Sequence, residues 1–325
     1  MRAIVHAAAG GTEVLELREV PTPEPGPGQV RVRVRAAGLN RADILQRWGR
    51  YPAPPGWPAD IPGLEYAGEI DVPGAGAARW HAGDRVMGLV GGGAHAEAVV
   101  VHQDEVLPIP AGLPFTDAAA IPEAFLTAYD ALAVRGRLRA GERVLIHAVG
   151  SGVGTAATQL AQRLGATVLG TSRQATKLER AKAYGLDVGI DTSIASFRDA
   201  VGAPVNVILD VLGGPAFADN LEVLALRGRL VMLGFLQGTR TEADLTPILR
   251  KRLEIIGSVM RARSLEERIP LVREFAERVL PMFKPDGPLL PVVGAVFPLT
   301  DLARAHEAME RDETFGKVVL VWDTR

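Results

Sequence analysis

Gly150-Ser151-Gly152-Val153-Gly154 is a turn with its side chains trimmed almost to the backbone. The apolar run before it, 144–149, has strand character, and the small and apolar residues after it, 155–161, have helix character. A dinucleotide pyrophosphate needs this strand–turn–helix arrangement. Backbone N–H groups at the helix start point at the phosphates, and the missing side chains let the ligand approach. The match to G-x-G-x-x-G is imperfect: with Gly154 as the third glycine, Val149 and Ser151 fill the first and second places. A Gly-rich turn by itself is equally a tight connection in some other α/β protein, so its weight depends on its surroundings.

About 20 residues beyond such a turn, a Rossmann sheet offers a side chain to the adenosine ribose, an acid when the cofactor is NAD. Here the second strand-like run ends Gly170-Thr171-Ser172-Arg173, Lys177 follows one helical turn later, and no carboxylate stands among them. A hydroxyl, a guanidinium and an ammonium suit a phosphate dianion, which arginine can bind bidentately. Alone, Arg173 and Lys177 read as a solvated helix face. Placed after the glycine turn, they point to NADP(H). His147, at the end of the first strand, reads as a packed histidine rather than a base.

The composition excludes other chemistry. With no cysteine, the chain has no disulfide, no thiolate nucleophile and no Cys-containing zinc site. Its six histidines (His6, His81, His95, His102, His147 and His306) form no ligand-spaced pair, and no metal is expected. A net charge of −2 gives no electrostatic case for nucleic acid or an anionic membrane surface as partner. No window reaches the roughly 18 uninterrupted apolar residues of a membrane span. The first residues read as a strand rather than a signal peptide, so cytoplasmic residence is the expectation. At 325 residues, 47% of them apolar, the chain can bury two cores.

Two patterns must position these groups. Residues 1–120 read as short β segments broken by Gly and Pro. Among them Val30-Arg31-Val32-Arg33-Val34-Arg35 alternates strictly, and the whole suggests a compact β-barrel-like domain. Residues 116–135 are Ala-rich and helix-prone, with Thr116 or Asp117 as N-cap. From Arg143 onward, strand-like runs at 143–149, 167–171, 188–190, 205–211, 229–234 and 253–257 alternate with helical stretches at 155–164, 175–184 and 216–224. That alternation predicts a six-stranded, doubly wound parallel sheet with helices on both faces. In 290–325, two strand-like runs flank a helix at 300–310.

Several further stretches occur in a specific order: Gly38-Leu39-Asn40-Arg41-Ala42-Asp43, Gly63-Leu64-Glu65-Tyr66-Ala67-Gly68, Gly83-Asp84-Arg85-Val86, Leu126-Thr127-Ala128-Tyr129, Asp210-Val211-Leu212-Gly213-Gly214, Gly228-Arg229-Leu230-Val231 and Gly316-Lys317-Val318-Val319-Leu320. With the glycine turn, they make the chain resemble the zinc-free medium-chain dehydrogenase/reductase family, in its quinone oxidoreductase (zeta-crystallin-like) branch. The resemblance implies a GroES-like β-barrel catalytic domain over 1–122, completed by 290–325. It implies a Rossmann NADP(H)-binding domain over 123–289, with a cleft between the two for cofactor and substrate. It further implies a homodimer joined through the last Rossmann strand, near Leu253-Glu254-Ile255-Ile256-Gly257-Ser258, where pairing would cover an apolar edge.

Site residues follow from the same resemblance. Asn40 corresponds to an asparagine beside the nicotinamide that can donate its amide N–H to the acceptor oxygen; by residue type it is equally an N-cap for a helix beginning near Arg41. Thr127 corresponds to a position near the nicotinamide, and its other reading is a helix-interior threonine. Gln46 and Tyr51 fall at the mouth of the cleft, Tyr51 either stacking on a quinone ring or packing its own Pro-rich loop. Gly234, Phe235, Ser258, Val259, Met260 and Lys317 correspond to segments lining the nicotinamide side. Zinc alcohol dehydrogenases of the superfamily carry a cysteine where this chain has Asn40 and a histidine where it has Leu64; Glu65 is then given a structural role. Thr192 stands where many family members carry a tyrosine that helps hold the 2′-phosphate.

Without a Lewis acid, reducing an unactivated ketone is hard. A quinone needs less help, since hydride arrival makes a resonance-stabilised anion that hydrogen-bond donors can hold. The expected activity is therefore NADPH-dependent reduction of small quinones. The alternatives are an enoyl or 2-alkenal reductase acting on an enone-type conjugated C=C bond and, ranked below it, a non-catalytic NADPH-binding protein.

Overall fold

The computed structural model describes residues 1–284 and 287–322. Residues 323–325 of the expected C-terminal completion, and 285–286, lie outside the described residues. The backbone clusters into two compact units: Met1–Leu126 with Met260–Arg325, and Thr127–Val259.

The first unit opens with an antiparallel pair, β1 (Arg2–His6) and β2 (Leu15–Glu19). Next come β3 (Gln29–Leu39), α1 (Arg41–Arg47), β4 (Glu65–Pro73), β5 (Arg85–Leu89), β6 (Ala98–His102) and β7 (Val106–Pro108). The strict alternation of β3 divides its side chains between two environments. Val30, Val32 and Val34 enter a core shared with Tyr66, Ile70, Val86, Val99 and Val101. Arg31 and Arg33 reach Asp71 on β4 at 2.8 and 2.9 Å, and Arg35 reaches Glu69 at 2.8 Å.

The Ala-rich stretch is broken rather than continuous. It folds as α2 (Phe115–Ala118), α3 (Pro122–Tyr129) and a π-helical segment, Asp130–Arg135. Pro114, with an extended backbone, precedes α2, so neither Thr116 nor Asp117 is the cap. Pro122 causes the break: it lacks an N–H for the preceding turn, yet suits the first position of a new helix.

The second unit alternates β8 (Arg143–Ile146), α4 (Gly152–Arg163), β9 (Thr167–Ser172), α5 (Ala175–Lys182), β10 (Val188–Asp191), α6 (Phe197–Ala200), β11 (Val205–Asp210), α7 (Ala216–Val223), β12 (Leu224–Met232), α8 (Thr246–Lys251) and β13 (Glu254–Gly257). The six strands are parallel in the order β10-β9-β8-β11-β12-β13. This is the doubly wound nucleotide-binding order, which reverses direction beside β8. Leu145, Leu169, Ile208 and Leu230 are fully buried, as strands covered on both faces must be.

The chain then returns to the first unit with α9 (Leu265–Arg278), β14 (Val293–Pro298), α10 (Leu302–Glu310) and β15 (Lys317–Val321). Its seven-stranded sheet runs β14-β15-β3-β4-β5-β7, with β6 pairing β3 as well. Residues 123–126, 260–284 and 287–289, expected with the nucleotide-binding domain, cluster with the first unit instead. The cause is packing. Phe283 meets the Phe125 ring edge-on at 4.7 Å, and Arg268 of α9 places Nε 2.8 Å from the buried Glu105 carboxylate.

Burial pushes the Glu105 carboxyl up to about 7, opposed by Arg268. The folded state therefore holds this proton after the unfolded chain has released it. The stability it contributes is complete below about pH 4.5 and is lost as pH rises toward 7. Urea midpoints between about pH 5 and 8 should accordingly fall more steeply for the wild type than for Glu105→Gln. Parallel curves would contradict the assignment.

Candidate active site

In the second unit the glycine turn leads directly from β8 into α4. Ser151 caps that helix, its Oγ accepting the Gly154 N–H at 3.0 Å. This is why α4 starts at Gly152, earlier than the expected 155. The first-turn N–H groups of Gly152 and Val153 have no partner within the helix, the arrangement that receives a phosphate. Gly154 is constrained by space: a Cβ there would lie 2.5 Å from the Ala148 carbonyl oxygen and 2.7 Å from that of Val149. It thus fills the third-glycine role of close helix–strand packing. Ala148 takes a left-handed backbone, φ 51°, as the chain leaves β8.

Parallel neighbours end on one edge of a sheet, and ligands of doubly wound sheets bind along the carboxyl ends. Ser172 closes β9 beside the turn, with Arg173 and Lys177 directly after it. The Ser172 hydroxyl accepts the Gln174 N–H at 3.1 Å, and its carbonyl accepts the Thr192 N–H at 2.9 Å. Gly150 lies in the turn, Gly234 and Phe235 follow β12, and Ser258 and Val259 follow β13. The half-exposed Phe235 ring lies so close to Gly213 that a Cβ on Gly213 would stand 2.5 Å from it. Ser258 donates its hydroxyl to the buried Asp130 carboxylate at 2.7 Å. Thr127 is buried on α3.

His147 is buried in the same unit, Nδ1 at 2.9 Å from Thr171 Oγ1 and Nε2 at 2.8 Å from Asn220 Oδ1. Burial chiefly pushes its pKa down, Asp210 and Asn220 opposing, so the ring is neutral and braces strands and helix. These residues fit a dinucleotide: a helix start with open backbone N–H groups behind a turn of small residues, and a hydroxyl, a guanidinium and an ammonium at the end of the neighbouring strand.

In the first unit, Asn40 stands at the N-cap of α1. Asp43, three residues on, accepts the Asn40 backbone N–H at 2.8 Å and the Gly63 N–H at 2.9 Å, which makes it a brace rather than an acid. The Asn40 side chain is held from both ends. Its Oδ1 accepts from Lys317 Nζ at 2.7 Å, and its Nδ2 donates to Glu65 Oε1 at 3.0 Å, with a longer approach to the Gly38 carbonyl at 3.4 Å. Lys317 also bonds the Leu39 carbonyl at 3.1 Å and pairs with Glu65. Three acceptors use all three ammonium protons. Lys317, placed by resemblance along the nicotinamide, therefore orients Asn40 and has no N–H left for a ligand. Glu65 Oε2 accepts the Glu123 N–H at the start of α3, at 2.8 Å. Burial pushes the pKa of the neighbouring His95 down, so that ring is neutral.

Gln46 is likewise committed: Nε2 donates to the Ala59 carbonyl at 3.0 Å, and Oε1 accepts from Arg261. Tyr51 accepts from Arg261 through its carbonyl at 2.9 Å, and its half-buried ring lies 5.1 Å from the guanidinium carbon. Burial, with Glu123 adding and Arg261 opposing, raises the Tyr51 pKa and keeps the hydroxyl protonated. Met260 is buried. Sequence reasoning missed Arg261 altogether, along with the pairing of Glu65 and Lys317.

This cluster does not fit a metal ion. Asn40 and Leu64 supply no thiolate and no imidazole, and the Glu65 carboxylate is taken by an ammonium and a backbone N–H. Among the described residues no group of three His, Cys, Asp or Glu side chains could hold one. Nor is any described helix long and apolar enough to cross a membrane.

Two family profiles match the chain: "Alcohol dehydrogenase GroES-like domain" over residues 26–111 and "Zinc-binding dehydrogenase" over 152–277. A quinone oxidoreductase of Pseudomonas aeruginosa is 34% identical over 330 residues, covering 98% of this chain and 99% of that protein. Among solved structures, the quinone oxidoreductase of Thermus thermophilus, also determined with NADPH, superposes with a TM-score of 0.84 at 34% identity, covering 99% and 100% of the two chains. The CurK enoyl reductase superposes with a TM-score of 0.85 at 26% identity over 99% of each.

Proposed function

Because the chain belongs to the medium-chain dehydrogenase/reductase family, in its quinone oxidoreductase branch, we propose that it is an NADPH-dependent reductase of small quinones. The observation that carries the cofactor assignment is the end of β9, where Ser172, Arg173 and Lys177 stand and no acid does. The NADPH complex of the Thermus relative supports the same choice. The acceptor assignment rests on the first unit, where hydrogen-bond donors replace metal ligands.

When bound, NADPH supplies the hydride. The chain's own residues bind and orient. First-turn N–H groups of α4 hold the pyrophosphate, and Arg173 and Lys177 neutralise the 2′-phosphate. Gly234, Phe235, Ser258 and Val259 border the same carboxyl edge and shape it, and Thr127 belongs to the same unit. Asn40, its amide fixed by Lys317 and Glu65, can turn the N–H that makes only the long 3.4 Å bond to the Gly38 carbonyl toward the oxygen on which negative charge develops. Tyr51 offers a flat face for the ring. Solvent provides the protons that complete the hydroquinone. The exposed Ile255 on β13, the outermost strand, supports a homodimer formed by pairing that edge.

The test is a turnover panel of NADPH and NADH against benzoquinones, naphthoquinones, 2-alkenals and enoyl-CoA esters. NADPH with quinones should dominate. Arg173→Ala should lower kcat/KM for NADPH by about tenfold to a hundredfold, the worth of hydrogen bonds to a charged group, and leave NADH unchanged. Bound NADPH without turnover of any quinone would refute the proposal. Preferred turnover of enones would select the enoyl reading, which the likeness to CurK favours.

A further inference from the structure

Arg261 is a buried cation with no counter-charge in contact. It is 6% exposed, and its three hydrogen bonds all go to neutral oxygens: the carbonyl of Gly91 at 2.7 Å, the carbonyl of Tyr51 and the side-chain amide of Gln46. The nearest acids are otherwise engaged. Asp43 is spent on two backbone N–H groups, and Glu123 acts on Arg261 only at longer range. A guanidinium carries five N–H donors, so two remain beyond these three bonds. Burying a charge without a paired anion is costly. Three neutral acceptors need donors, and an asparagine, a glutamine or a water could bridge them. What they do not need is a positive charge.

We propose that Arg261 recognises negative charge on the acceptor: beside the Tyr51 ring and the Gln46 amide, the first unit receives aromatic acceptors bearing a carboxylate or sulfonate. The inference deepens the reductase reading, because it takes Tyr51 and Gln46 as acceptor-side residues. The Tyr51 ring, 5.1 Å from the guanidinium carbon, gives a flat aromatic body a surface next to the charge. The two unspent N–H groups suit a planar or tripodal oxyanion in the fork geometry that lysine lacks. Three anchors, on α1, on the loop after it and on the loop containing Gly91–Gly92, hold the group in place before any ligand arrives.

The experiment measures binding rather than turnover, so it is independent of whether quinones are the acceptors reduced. Titration calorimetry with NADP+ present compares anthraquinone-2-sulfonate with the uncharged 2-(hydroxymethyl)anthraquinone on the same ring. The wild type should bind the sulfonate about tenfold more tightly, and added salt should narrow the gap. Arg261→Met should abolish the preference, and Arg261→Lys should keep part of it. A wild type that binds both alike, or neither, overturns the proposal, and needs no variant to fold. So does an Arg261→Met protein that loses affinity for both ligands by one factor, the mark of a loop staple. Failure of the quinone reading would show separately, in the turnover panel.

Discussion

Replacing Lys317 with methionine is expected to lower folding stability by about 3–5 kcal/mol, the cost of breaking a buried ion pair by removing one partner. Glu65 is completely buried and Lys317 is 5% exposed. Without the ammonium, the carboxylate keeps only the Asn40 amide and the Glu123 N–H, and Asn40 Oδ1 and the Leu39 carbonyl lose their donor. The same substitution releases the Oδ1 end of the Asn40 amide and loosens its orientation, so kcat should fall while KM for the acceptor moves little, because a misplaced N–H matters most when charge develops. Removing both charges in Lys317→Met/Glu65→Gln should restore much of the stability, since a neutral pair leaves no buried ion unpaired. It should not restore kcat, because the Oδ1 end of the Asn40 amide still lacks the ammonium that oriented it. Urea denaturation of the four proteins forms a double-mutant cycle that isolates the pair. A single mutant within about 1 kcal/mol of the wild type would show that the pair contributes little.

This cluster also marks where sequence reading stops. Lys317 and Glu65 lie far apart in the chain and meet through β3. Val318 pairs with Leu39 on one side of it, and Glu65 pairs with Gly38 on the other. No local pattern encodes that meeting, so the sequence alone points the lysine at a ligand and leaves the glutamate only a structural part. Arg261 is invisible for a different reason: two of its acceptors are backbone carbonyls, which any residue supplies. The strand alternation of β3, the strand–helix alternation of the six-stranded parallel sheet and the glycine turn are all legible, because period and turn chemistry are local. The break before Pro122 is legible in principle, since a proline inside a helical pattern signals a new start; the alanine content masks it. The docking of α9 on the first unit depends on Arg268 finding Glu105, again a contact between distant parts of the chain.

The turn itself admits a sharper experiment. Gly154→Val should abolish detectable NADPH binding and cost about 1–3 kcal/mol of stability, the range for forcing atoms into a filled space. The obstruction is backbone: a Cβ at 154 would stand 2.5 and 2.7 Å from the carbonyl oxygens of Ala148 and Val149, neither of which can swing aside like a side chain. To relieve the contact, α4 must move away from the end of β8. That shift would carry the Gly152 and Val153 N–H groups off the phosphate position and break the Ser151 cap on Gly154. Ser151→Gly is the informative partner. It restores a glycine to the second place of the fingerprint, introduces no atom, and replaces a capping serine at a cost of only a few tenths of a kcal/mol. NADPH affinity in that variant should stay within a few-fold of the wild type. The two substitutions thus separate space from capping: if calorimetry found both variants equally impaired, the hydroxyl of Ser151 would be a ligand to the cofactor and the turn would bind by side chain. If Gly154→Val alone fails, the turn binds through its backbone, as its trimmed side chains imply.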